Sequence, residues 1–489
     1  MKYDAIIIGS GLGGLECAAM LAKAGLSVVV LEQASAMGGC LQSFRRSGMT
    51  FDTGFHCVGA LGVGQSLYGP FKHLGLMNLS WRRMDACFDH IAIGSHRFVA
   101  VEGFDTYRDY LAERFPDERK ALHSYFILLR RATREHLDLL NPNAKSSINA
   151  LDSCQASAWQ YLTASFRNPL LINALSADAF KTELNKATLP LFSFLHFHSS
   201  FVESSWRLKG DGSLIIRALV NLIQSCGGIV RTNASVVELQ VKDGKIIRAV
   251  CHNGEAFDAD FFISNIHPAS TCVLIKDTHA LRKSFRRRIS ALANTSGMFT
   301  VSLRLKPNTL KYFNYNQYAF RQPNVWTFQN DDTVSGVMAS CRVPEDDTPY
   351  ARQIDLLTPM SWNKCTRWLG TNPGNRGDDY LAMKNKKADE CIELARTVIP
   401  GLREAIDTYY TSTPLTWHDY LRTPQGTAFG VRKDFNDPLD TVLSVRTPIP
   451  NLLLTGQNLM LHGLHGVTMT ALFTCAEILG KDYIWEILN

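Results

Sequence analysis

The stretch MKYDAIIIGSGLGGLECAAMLAKAG, residues 1–25, places a short apolar run directly before a glycine-rich turn. Three glycines there have the spacing G-x-G-x-x-G: Gly9, Gly11 and Gly14. That spacing alone is weak, because 34 glycines in 489 residues also produce it by chance. The flanking residues decide the matter. Residues 5–8 predict a strand buried on both faces, and residues 15–23 predict a helix that Gly25 ends.

A second apolar run, residues 27–31, follows that helix and ends at Glu32. Together these elements form a βαβ unit with an acidic residue about 20 positions after the glycines. Gly9 permits the tight turn, Gly11 lets the backbone approach a pyrophosphate, and Gly14 lets the helix pack against the strand. The helix N-terminus offers unpaired N–H groups to that pyrophosphate. Glu32 accepts hydrogen bonds from ribose hydroxyls. The unit therefore predicts a parallel α/β domain that binds a dinucleotide.

Length and composition are those of an ordinary globular enzyme. The 489 residues are 46% hydrophobic and 20% charged, enough for two domains or one elaborated domain. The net charge of +6 is modest, and no basic tail predicts a nucleic-acid partner. The twelve cysteines contain no C-x-x-C pair, which predicts free thiols, a reducing cytoplasmic location and no metal site. No apolar run reaches the about 18 residues that span a bilayer, and no signal peptide is expected.

The next stretch, LEQASAMGGCLQSFRRSGMTFDTGFHCVG, residues 31–59, distinguishes FAD from NAD. Gly38-Gly39 follows Glu32 in a loop, where paired glycines permit close backbone approach; a simple turn is the alternative. The pattern resembles flavoproteins related to phytoene desaturase, carotenoid isomerase and amine oxidases. The motifs GGCLQSF and FDTGFHCVG are most similar to those of the retinol saturase group, in which a cysteine follows the glycine pair. Amine oxidases usually carry arginine where Cys40 stands.

The far end of the chain supports this resemblance. PNLLLTGQN, residues 450–458, and HGLHGVTMTALFTCAEIL, residues 462–479, predict a strand, a turn and a helix. In the family this unit returns to the first βαβ unit and contacts FAD. Most members carry Gly-Asp where this chain has Gly456-Gln457, as retinol saturases do, and the Gln amide can still bond cofactor oxygens. The resemblance implies that the helix N-terminus points toward the flavin; a plain C-terminal helix is the alternative.

A central segment, residues 206–268, resembles the cofactor section of the same family. It predicts a helix after residues 210–213 and a hairpin of residues 235–241 and 245–250 around Asp243-Gly244. A final strand is expected over residues 258–265. In the family, the backbone near Val236 and Val237 contacts the adenine.

The resemblance implies an α/β fold (α+β overall), with a Rossmann-like FAD-binding domain of the glutathione-reductase/amine-oxidase type and an interleaved substrate domain of mixed sheet plus helices. The FAD-binding domain is predicted to be discontinuous, over residues 1–75, 205–275 and 440–489. The substrate domain takes residues 76–204 and 276–439, with helices over 103–165 and second-sheet strands at 297–305 and 335–342. The predicted FAD-binding residues are Gly9, Ser10, Gly11, Leu12, Gly13, Gly14, Glu32, Gln33, Gly38, Gly39, Cys40, Val237, Gly456, Gln457, Gly466, Val467 and Thr468.

Two kinds of segment bear on the substrate and its access. Residues 169–180 and 189–206 are rich in leucine and phenylalanine, which fits ordinary core, a tunnel for an apolar substrate, or a membrane-facing entrance. Two basic clusters, residues 130–134 and 282–288, suit anionic lipid headgroups, with a solvated face as the alternative. Residues 413–431 resemble a stretch that packs near the flavin in the carotenoid and retinol group. Peripheral membrane contact is therefore an open expectation.

In flavin chemistry a hydride reaches or leaves the flavin, and the neighbouring substrate carbon exchanges a proton. His56 is the first candidate to handle that proton, because residues 51–56 lie beside the flavin in the family. A structural histidine is the alternative. Weaker candidates are His196, His198, His462 and His465. The sequence shows no Ser-His-Asp arrangement, no metal-ligand set and no Walker loop.

The resemblance predicts an FAD-dependent oxidoreductase acting on C=C bonds of a long apolar polyene, retinoid- or carotenoid-like, foremost a saturase. Alternatives are a polyene cis–trans isomerase or desaturase, an amine oxidase, and a prenyl-protein-binding module like GDP-dissociation inhibitors and Rab escort proteins, which share this fold. The intact Gly9, Gly11, Gly14, Glu32 and Gly456 argue against that last alternative. Because no second G-x-G-x-x-G is present, electrons are expected from transient NAD(P)H, a redox protein or a quinone.

Overall fold

The computed structural model describes residues 2–143, 153–277, 279–327 and 332–489, apart from the side chains of residues 134–136. The basic cluster at residues 130–134 and the helical prediction for residues 103–165 therefore lie partly outside the described residues. The strands are β1 (Lys2–Ile8), β2 (Val28–Leu31), β3 (Ser43–Arg46), β4 (Met49–Asp52), β5 (Val58–Gly59), β6 (Trp81–Arg83), β7 (Cys87–Ile93), β8 (His96–Val101), β9 (Ser205–Leu208), β10 (Ile229–Arg231), β11 (Val236–Lys242), β12 (Lys245–Cys251), β13 (Ala256–Ser264), β14 (Gly297–Leu305), β15 (Asn316–Phe320), β16 (Gly336–Cys341), β17 (Gln353–Met360), β18 (Ile406–Ser412) and β19 (Leu452–Leu454).

The α-helices are numbered in the same way, over the described residues. They are α1 (Leu12–Lys23), α2 (Tyr68–His73), α3 (Phe104–Arg114), α4 (Arg119–Asp138), α5 (Ala158–Ser165), α6 (Pro169–Ala177), α7 (Leu191–Glu203), α8 (Ser213–Ser225), α9 (Pro268–Leu274), α10 (Lys283–Ala291), α11 (Asp378–Ala395), α12 (Leu402–Ala405), α13 (Pro414–Leu421), α14 (Pro438–Thr441), α15 (Gly463–Leu479) and α16 (Lys481–Leu488).

The apolar run before the glycine turn becomes the central strand of the first sheet. Ala5, Ile6 and Ile7 of β1 have no exposed surface, because β2 and β13 pair on either side and helices cover the sheet. The strand order is β10-β2-β1-β13-β12-β11, with β19 also paired to β13. β10, β2, β1, β13 and β19 run parallel, whereas β12 pairs antiparallel with both β11 and β13. The predicted hairpin around Asp243-Gly244 is confirmed.

Helices from both ends of the sequence pack together beside this sheet. α1 contacts α15 and α8, and their apolar side chains form one core cluster with those of β1 and β2. α1 begins at Leu12 rather than at residue 15, because Gly13 and Gly14 already belong to the helix. α15 begins at Gly463, so the expected helix after Gly463 is confirmed with Gly466 inside its first turn.

A second sheet joins residues that are far apart in sequence. Its strand order is β18-β14-β17-β16-β15-β7-β8, and its pairs are antiparallel except β15 with β7. The predicted strands at residues 297–305 and 335–342 are confirmed as β14 and β16. α11 packs against β15, β16 and β17, and α6 packs against β7. The two sheets and their helices confirm the α/β fold class, while the domain boundaries stay a prediction.

Two further features concern the cysteines and the length of the apolar helices. All twelve cysteines are free, and Cys226 is exposed whereas the others are buried or half-buried. Among the residues that the structure describes, no helix combines the length and apolar character that crossing a membrane requires.

Candidate functional site

The carboxyl ends of the parallel strands open on a cavity of about 590 Å³. Gly9 follows β1, Glu32 follows β2, Asn265 follows β13, and Gly456 lies two residues after β19; all four line the cavity. Ligands of open parallel sheets bind at this edge, where loops from different strands meet. The volume lies within the range of sites for cofactors and drug-sized ligands, about 300–1,000 Å³.

The glycine turn brings α1 close to the end of β1. Gly9 has φ +93°, a left-handed conformation that favours glycine. A Cβ at Gly14 would clash with the carbonyl oxygen of Gly9, and a Cβ at Gly13 would lie 3.1 Å from the Cα of Gly456. These close approaches leave the first N–H groups of α1 facing the cavity, where a helix N-terminus favours an anion.

Glu32 fixes the turn from the neighbouring strand. Its Oε2 accepts hydrogen bonds from the Ser10 backbone N–H at 2.9 Å and from the Ser10 hydroxyl at 2.6 Å. Its Oε1 accepts from the Ala34 N–H at 2.8 Å. The backbone N–H of Gly38 donates to the Ser10 Oγ at 3.2 Å. The Glu32 carboxylate therefore holds both glycine loops while it borders the cavity.

The paired glycines bring a second loop onto the first. Gly38 has φ +110° and Gly39 has φ +54°. A Cβ at Gly38 would overlap the side chain of Ile216, and one at Gly39 would lie 3.3 Å from the Cα of Gly11. The two loops also pair directly, through a bridge between Gly11 and Gly38. Because these approaches need glycine, Gly38-Gly39 is more than a simple turn.

Asn265 is a central residue that the sequence analysis did not single out. Its Nδ2 donates to the carbonyl oxygen of Gly9 at 3.3 Å. Its amide also lies against Gly11, Gly14 and Gly456, where an added Cβ on any of the three would crowd it. Asn265 therefore ties the first glycine turn to the last one. No local sequence pattern marks Asn265, since one asparagine after a strand has no motif of its own.

The C-terminal segment closes the same cavity. Gly456 has φ +92°, and Gln457 lines the wall beside it. The first turn of α15 also lines the cavity, from Gly463 to Val467. The cavity therefore has two helix N-termini on its wall, those of α1 and α15.

Beyond the loops, the cavity continues into an apolar chamber. Its aromatic and aliphatic lining is Phe55, Phe180, Phe197, Phe201, Met298, Met338, Leu357, Trp417, Leu421 and Phe429. These side chains come from strands of the second sheet, from α7 and α13, and from the segments that connect such elements. The leucine- and phenylalanine-rich segments at 169–180 and 189–206 thus contribute to core and chamber alike.

Comparison with known proteins shows the family to which the chain belongs. The family model of flavin-containing amine oxidoreductases matches residues 12–479. The chain belongs to the flavin-containing amine oxidoreductase family. It is 25% identical to human all-trans-retinol 13,14-reductase over 532 aligned positions, covering 100% of this chain and 87% of that protein. It is also 25% identical to the 4,4′-diapolycopene oxygenase of a Methylomonas species, covering 88% of each chain.

A solved structure supports the fold. An oxidoreductase from Methanosarcina mazei superposes with a TM-score of 0.65 at 17% identity, over 96% of this chain and 98% of that chain. The prediction of an FAD-dependent oxidoreductase, made from the sequence resemblance, is confirmed by the family match. The glycine cradle, the Glu32 carboxylate and the two helix N-termini are the groups an extended dinucleotide needs, so the residues present fit FAD.

The structure brings most of the predicted cofactor residues to one wall, with three exceptions. Gly14 packs against Gly9 instead of facing the cavity. The Thr468 hydroxyl donates to the Oε1 of Glu16 at 2.7 Å. Val237 is 39% exposed and lies away from the cavity, which Ala234, Ser235 and Val236 border. Since side chains alternate along a strand, Val236 faces the cavity and Val237 does not.

His56 lines the cavity as an uncharged ring. Burial, with help from the nearby Arg207 and Lys181 cations, lowers the pKa of His56 to about 4. Its Nδ1 lies 3.8 Å from Asp355 Oδ2, and its Nε2 has no hydrogen-bond partner in the described part of the chain. With that pKa, His56 is a neutral imidazole at neutral pH, and the imidazolium form is scarcely populated. That His56 handles the substrate proton stays a prediction, and the neutral ring offers one N–H as a donor.

The weaker histidine candidates are neutral for the same reason. Burial lowers the pKa of His196 and His462 to about 4 and the pKa of His198 and His465 to about 3. His196, His462 and His465 line the cavity, whereas His198 lies behind it with its Nδ1 2.7 Å from the Tyr125 hydroxyl.

Two more cavity residues, Cys40 and Lys181, differ in charge. Burial raises the pKa of the Cys40 thiol to about 11, so Cys40 is a neutral lining group and not a nucleophile. Lys181 is a cation on the wall of the apolar chamber, and the sequence analysis missed it. Its partner Asp89 is 92 positions away in the chain, so no local sequence pattern predicts the pair.

Proposed function

We propose that this flavoprotein is a reductase that saturates one carbon–carbon double bond of a long apolar polyene. The observation that carries the proposal is the continuity of one cavity, from the glycine turns and Glu32 to a chamber lined by Phe, Met and Leu side chains. A long apolar molecule suits such a chamber, because burial of its surface drives binding at about 25 cal/mol per Å². The named activities of two relatives, on retinol and on diapolycopene, support the same substrate class.

Each part of the wall has a task in this proposal. The glycine turns, Asn265 and Glu32 would hold the dinucleotide, and the start of α15 presents a positive helix end to the same cavity. Bound FAD would supply hydride chemistry at this wall. The aromatic side chains of the chamber exclude water from the polyene. The neutral imidazole of His56 offers a hydrogen bond from its N–H at the cavity wall.

The test of this proposal is anaerobic stopped-flow spectroscopy on FAD-loaded protein with NADH, NADPH and a series of polyenes. We expect the flavin absorbance to bleach with a nicotinamide donor and to return when an all-trans C20 polyene alcohol is added. Mass spectrometry should then find a product heavier by two hydrogens. If none of the polyenes reoxidises the reduced flavin, the proposal is contradicted.

The same experiment separates the alternative functions. An isomerase yields a product of unchanged mass, and a desaturase yields one lighter by two hydrogens. An amine oxidase bleaches the flavin when amines are added anaerobically, and it releases hydrogen peroxide once oxygen is admitted to reoxidise the flavin. Protein that stays colourless after exposure to FAD would favour the prenyl-protein-binding alternative. If neither NADH nor NADPH bleaches the flavin while dithionite does, the donor is a redox protein or a reduced quinone.

Peripheral contact with an anionic membrane is a second part of the proposal. On and beside α10, Arg282, Lys283 and Arg287 are exposed, within the predicted basic cluster at residues 282–288. Cations close to an anionic surface each add about 1 kcal/mol of attraction. Sedimentation with phosphatidylserine-containing vesicles should exceed sedimentation with pure phosphatidylcholine, and replacement of all three cations by Gln should remove the difference. Equal sedimentation with both vesicles would contradict this contact.

A further inference from the structure

Lys181 places a positive charge inside the apolar chamber. It ends a short 3₁₀-helix, Asp178–Lys181, and its side chain is 12% exposed. Its Nζ lies 3.9 Å from the centroid of the Phe201 ring, and both residues line the cavity. A cation in such surroundings is costly unless it is paired, so its partners are informative.

The pairing acid lies behind the cavity wall. Asp89 on β7 is fully buried, and its Oδ2 accepts a hydrogen bond from Lys181 Nζ at 3.2 Å. Its Oδ1 accepts from Asn316 Nδ2 at 2.6 Å, because β15 pairs with β7 in a register that sets Asn316 opposite Asp89. The ammonium therefore borders the cavity, whereas the carboxylate does not.

The lysine is also fixed through its backbone. The Nε2–H of His462 donates to the carbonyl oxygen of Lys181 at 2.9 Å. The ring of His462 in turn lies between Phe429, at 4.4 Å between centroids, and Phe197, at 5.6 Å. An ammonium has three N–H donors, and the described residues give this one a single hydrogen bond, to Asp89. A donor is thus left for a molecule in the chamber.

The surrounding charges decide what that molecule can carry. Both Asp89 and the buried Asp178 interact with Lys181, and Arg207 binds backbone carbonyl oxygens of Phe313, Cys341 and Tyr315. The Lys181–Asp89 pair is neutral as a unit, with a second acid beside it. A carboxylate placed here would meet two buried carboxyl groups, while a pure hydrocarbon would leave the donor unsatisfied.

We infer that the Lys181–Asp89 pair holds one uncharged oxygen, a hydroxyl or carbonyl group, at the end of an otherwise apolar substrate, and discriminates against both a carboxylate and a hydrocarbon. This inference rests on the proposed action on polyenes and adds the recognition of one polar terminus. Lys181 is a specificity-determining residue in this view, and Asp89 is a positioning residue that acts through it.

The test measures equilibrium binding to the FAD-loaded protein by quenching of tryptophan fluorescence. The three probes are an all-trans C20 polyene alcohol, the hydrocarbon with a methyl group in place of its CH₂OH group, and the corresponding carboxylate. We expect wild-type protein to bind the alcohol about tenfold to a hundredfold more tightly than the hydrocarbon, the range for a hydrogen bond to a charged group. The carboxylate should also bind more weakly than the alcohol.

Two variants separate recognition from a structural role. Lys181→Met should remove the preference for the alcohol over the hydrocarbon while the hydrocarbon affinity stays within about twofold. Asp89→Asn removes the negative charge and should raise the carboxylate affinity relative to that of the alcohol. Lys186→Met is the matched control, because Lys186 also lies 3.9 Å from the centroid of an aromatic ring, that of Trp159, but does not line the cavity.

The outcomes are distinguishable. Equal binding of all three probes by wild-type protein would overturn this inference and leave the proposed function intact. Failure of every probe to bind would contradict both. If Lys181→Met does not fold, the wild-type probe series and Asp89→Asn still decide, since a preference for the carboxylate in wild-type protein overturns the inference by itself.

Discussion

Two polar side chains, Glu32 and Asn265, hold the glycine loops of the candidate site in place. Glu32 accepts three hydrogen bonds from the loops it holds, and Asn265 spans the first and last glycine turns. Such residues cannot be replaced by others of similar size without loss of the same bonds, because charge-assisted and amide hydrogen bonds are directional. The glycines are equally constrained, by space.

Gly14→Ala tests the space at the turn. The added Cβ would meet the backbone oxygen of Gly9, which also accepts a hydrogen bond from the Asn265 side chain. We expect a loss of about 1–3 kcal/mol in the free energy of unfolding, the usual cost of overpacking, together with weaker FAD retention. Denaturant unfolding and the ratio of flavin to protein absorbance measure the two effects.

The control for this change is Gly25→Asn. Gly25 has φ +92° but nothing within 4 Å of an added Cβ, and asparagine tolerates left-handed backbone better than most residues. A Gly14→Ala protein as stable and as yellow as the Gly25→Asn protein would show that the close approach is unimportant.

His56 predicts a particular pH profile. Because burial lowers the pKa of His56 to about 4, we expect its ring to be neutral at pH 5.5–8. The rate of polyene reduction should therefore show no limb near pH 6.5 that depends on this residue. His56→Gln keeps a donor and should lower kcat/KM without changing the shape of the profile between pH 5.5 and 8. A limb near pH 6.5 that disappears in His56→Gln would refute the neutral assignment.

At the scale of elements, the sequence predicted what is local and missed what is distant. The βαβ unit, the hairpin around Asp243-Gly244 and the strand–turn–helix at the C-terminus all have turn residues and periodicity next to them in the chain. The pairing of β7 with β15 has no such signal, since the two strands are more than 200 positions apart. Lys181 and Asn265 were missed for the same reason, because their partners are supplied by other elements.

The packing of α1 on α15 contains a buried acid that can be tested. Glu16 is fully buried and accepts one hydrogen bond, from Thr468, while its Oε2 has none in the described residues. Burial raises its pKa from 4.5 to about 8. Between these values the folded protein holds a proton that the unfolded chain releases, so the contribution of Glu16 to stability falls as pH rises through that window.

Glu16→Gln removes this titration. The free energy of unfolding of the variant relative to wild type should increase from pH 5 to pH 8, by at most about 1.4 kcal/mol per pH unit. Guanidinium unfolding at both pH values measures the difference. Glu238→Gln, at a partly exposed residue of β11, is the control for the loss of a carboxylate as such. A constant difference for Glu16→Gln at both pH values would mean that Glu16 is ionised throughout.

At the scale of the whole molecule, the site joins segments from the beginning, middle and end of the sequence. A ligand that bridges them binds the folded protein and not the unfolded chain. Removal of FAD should therefore lower the free energy of unfolding, by about 2.7 kcal/mol compared with free FAD at a hundredfold excess over its Kd. Denaturant titrations at several FAD concentrations test this, and a midpoint that ignores FAD would contradict a shared site.

The single exposed thiol has a practical consequence. Cys226 lies just after α8, whereas the other eleven cysteines are buried or half-buried. A maleimide dye added briefly to the native protein should thus attach at that position first, without mutagenesis. Cys226 does not line the cavity, so such a label would leave the candidate site free and would report the tumbling of the flavoprotein as a vesicle or a partner binds it.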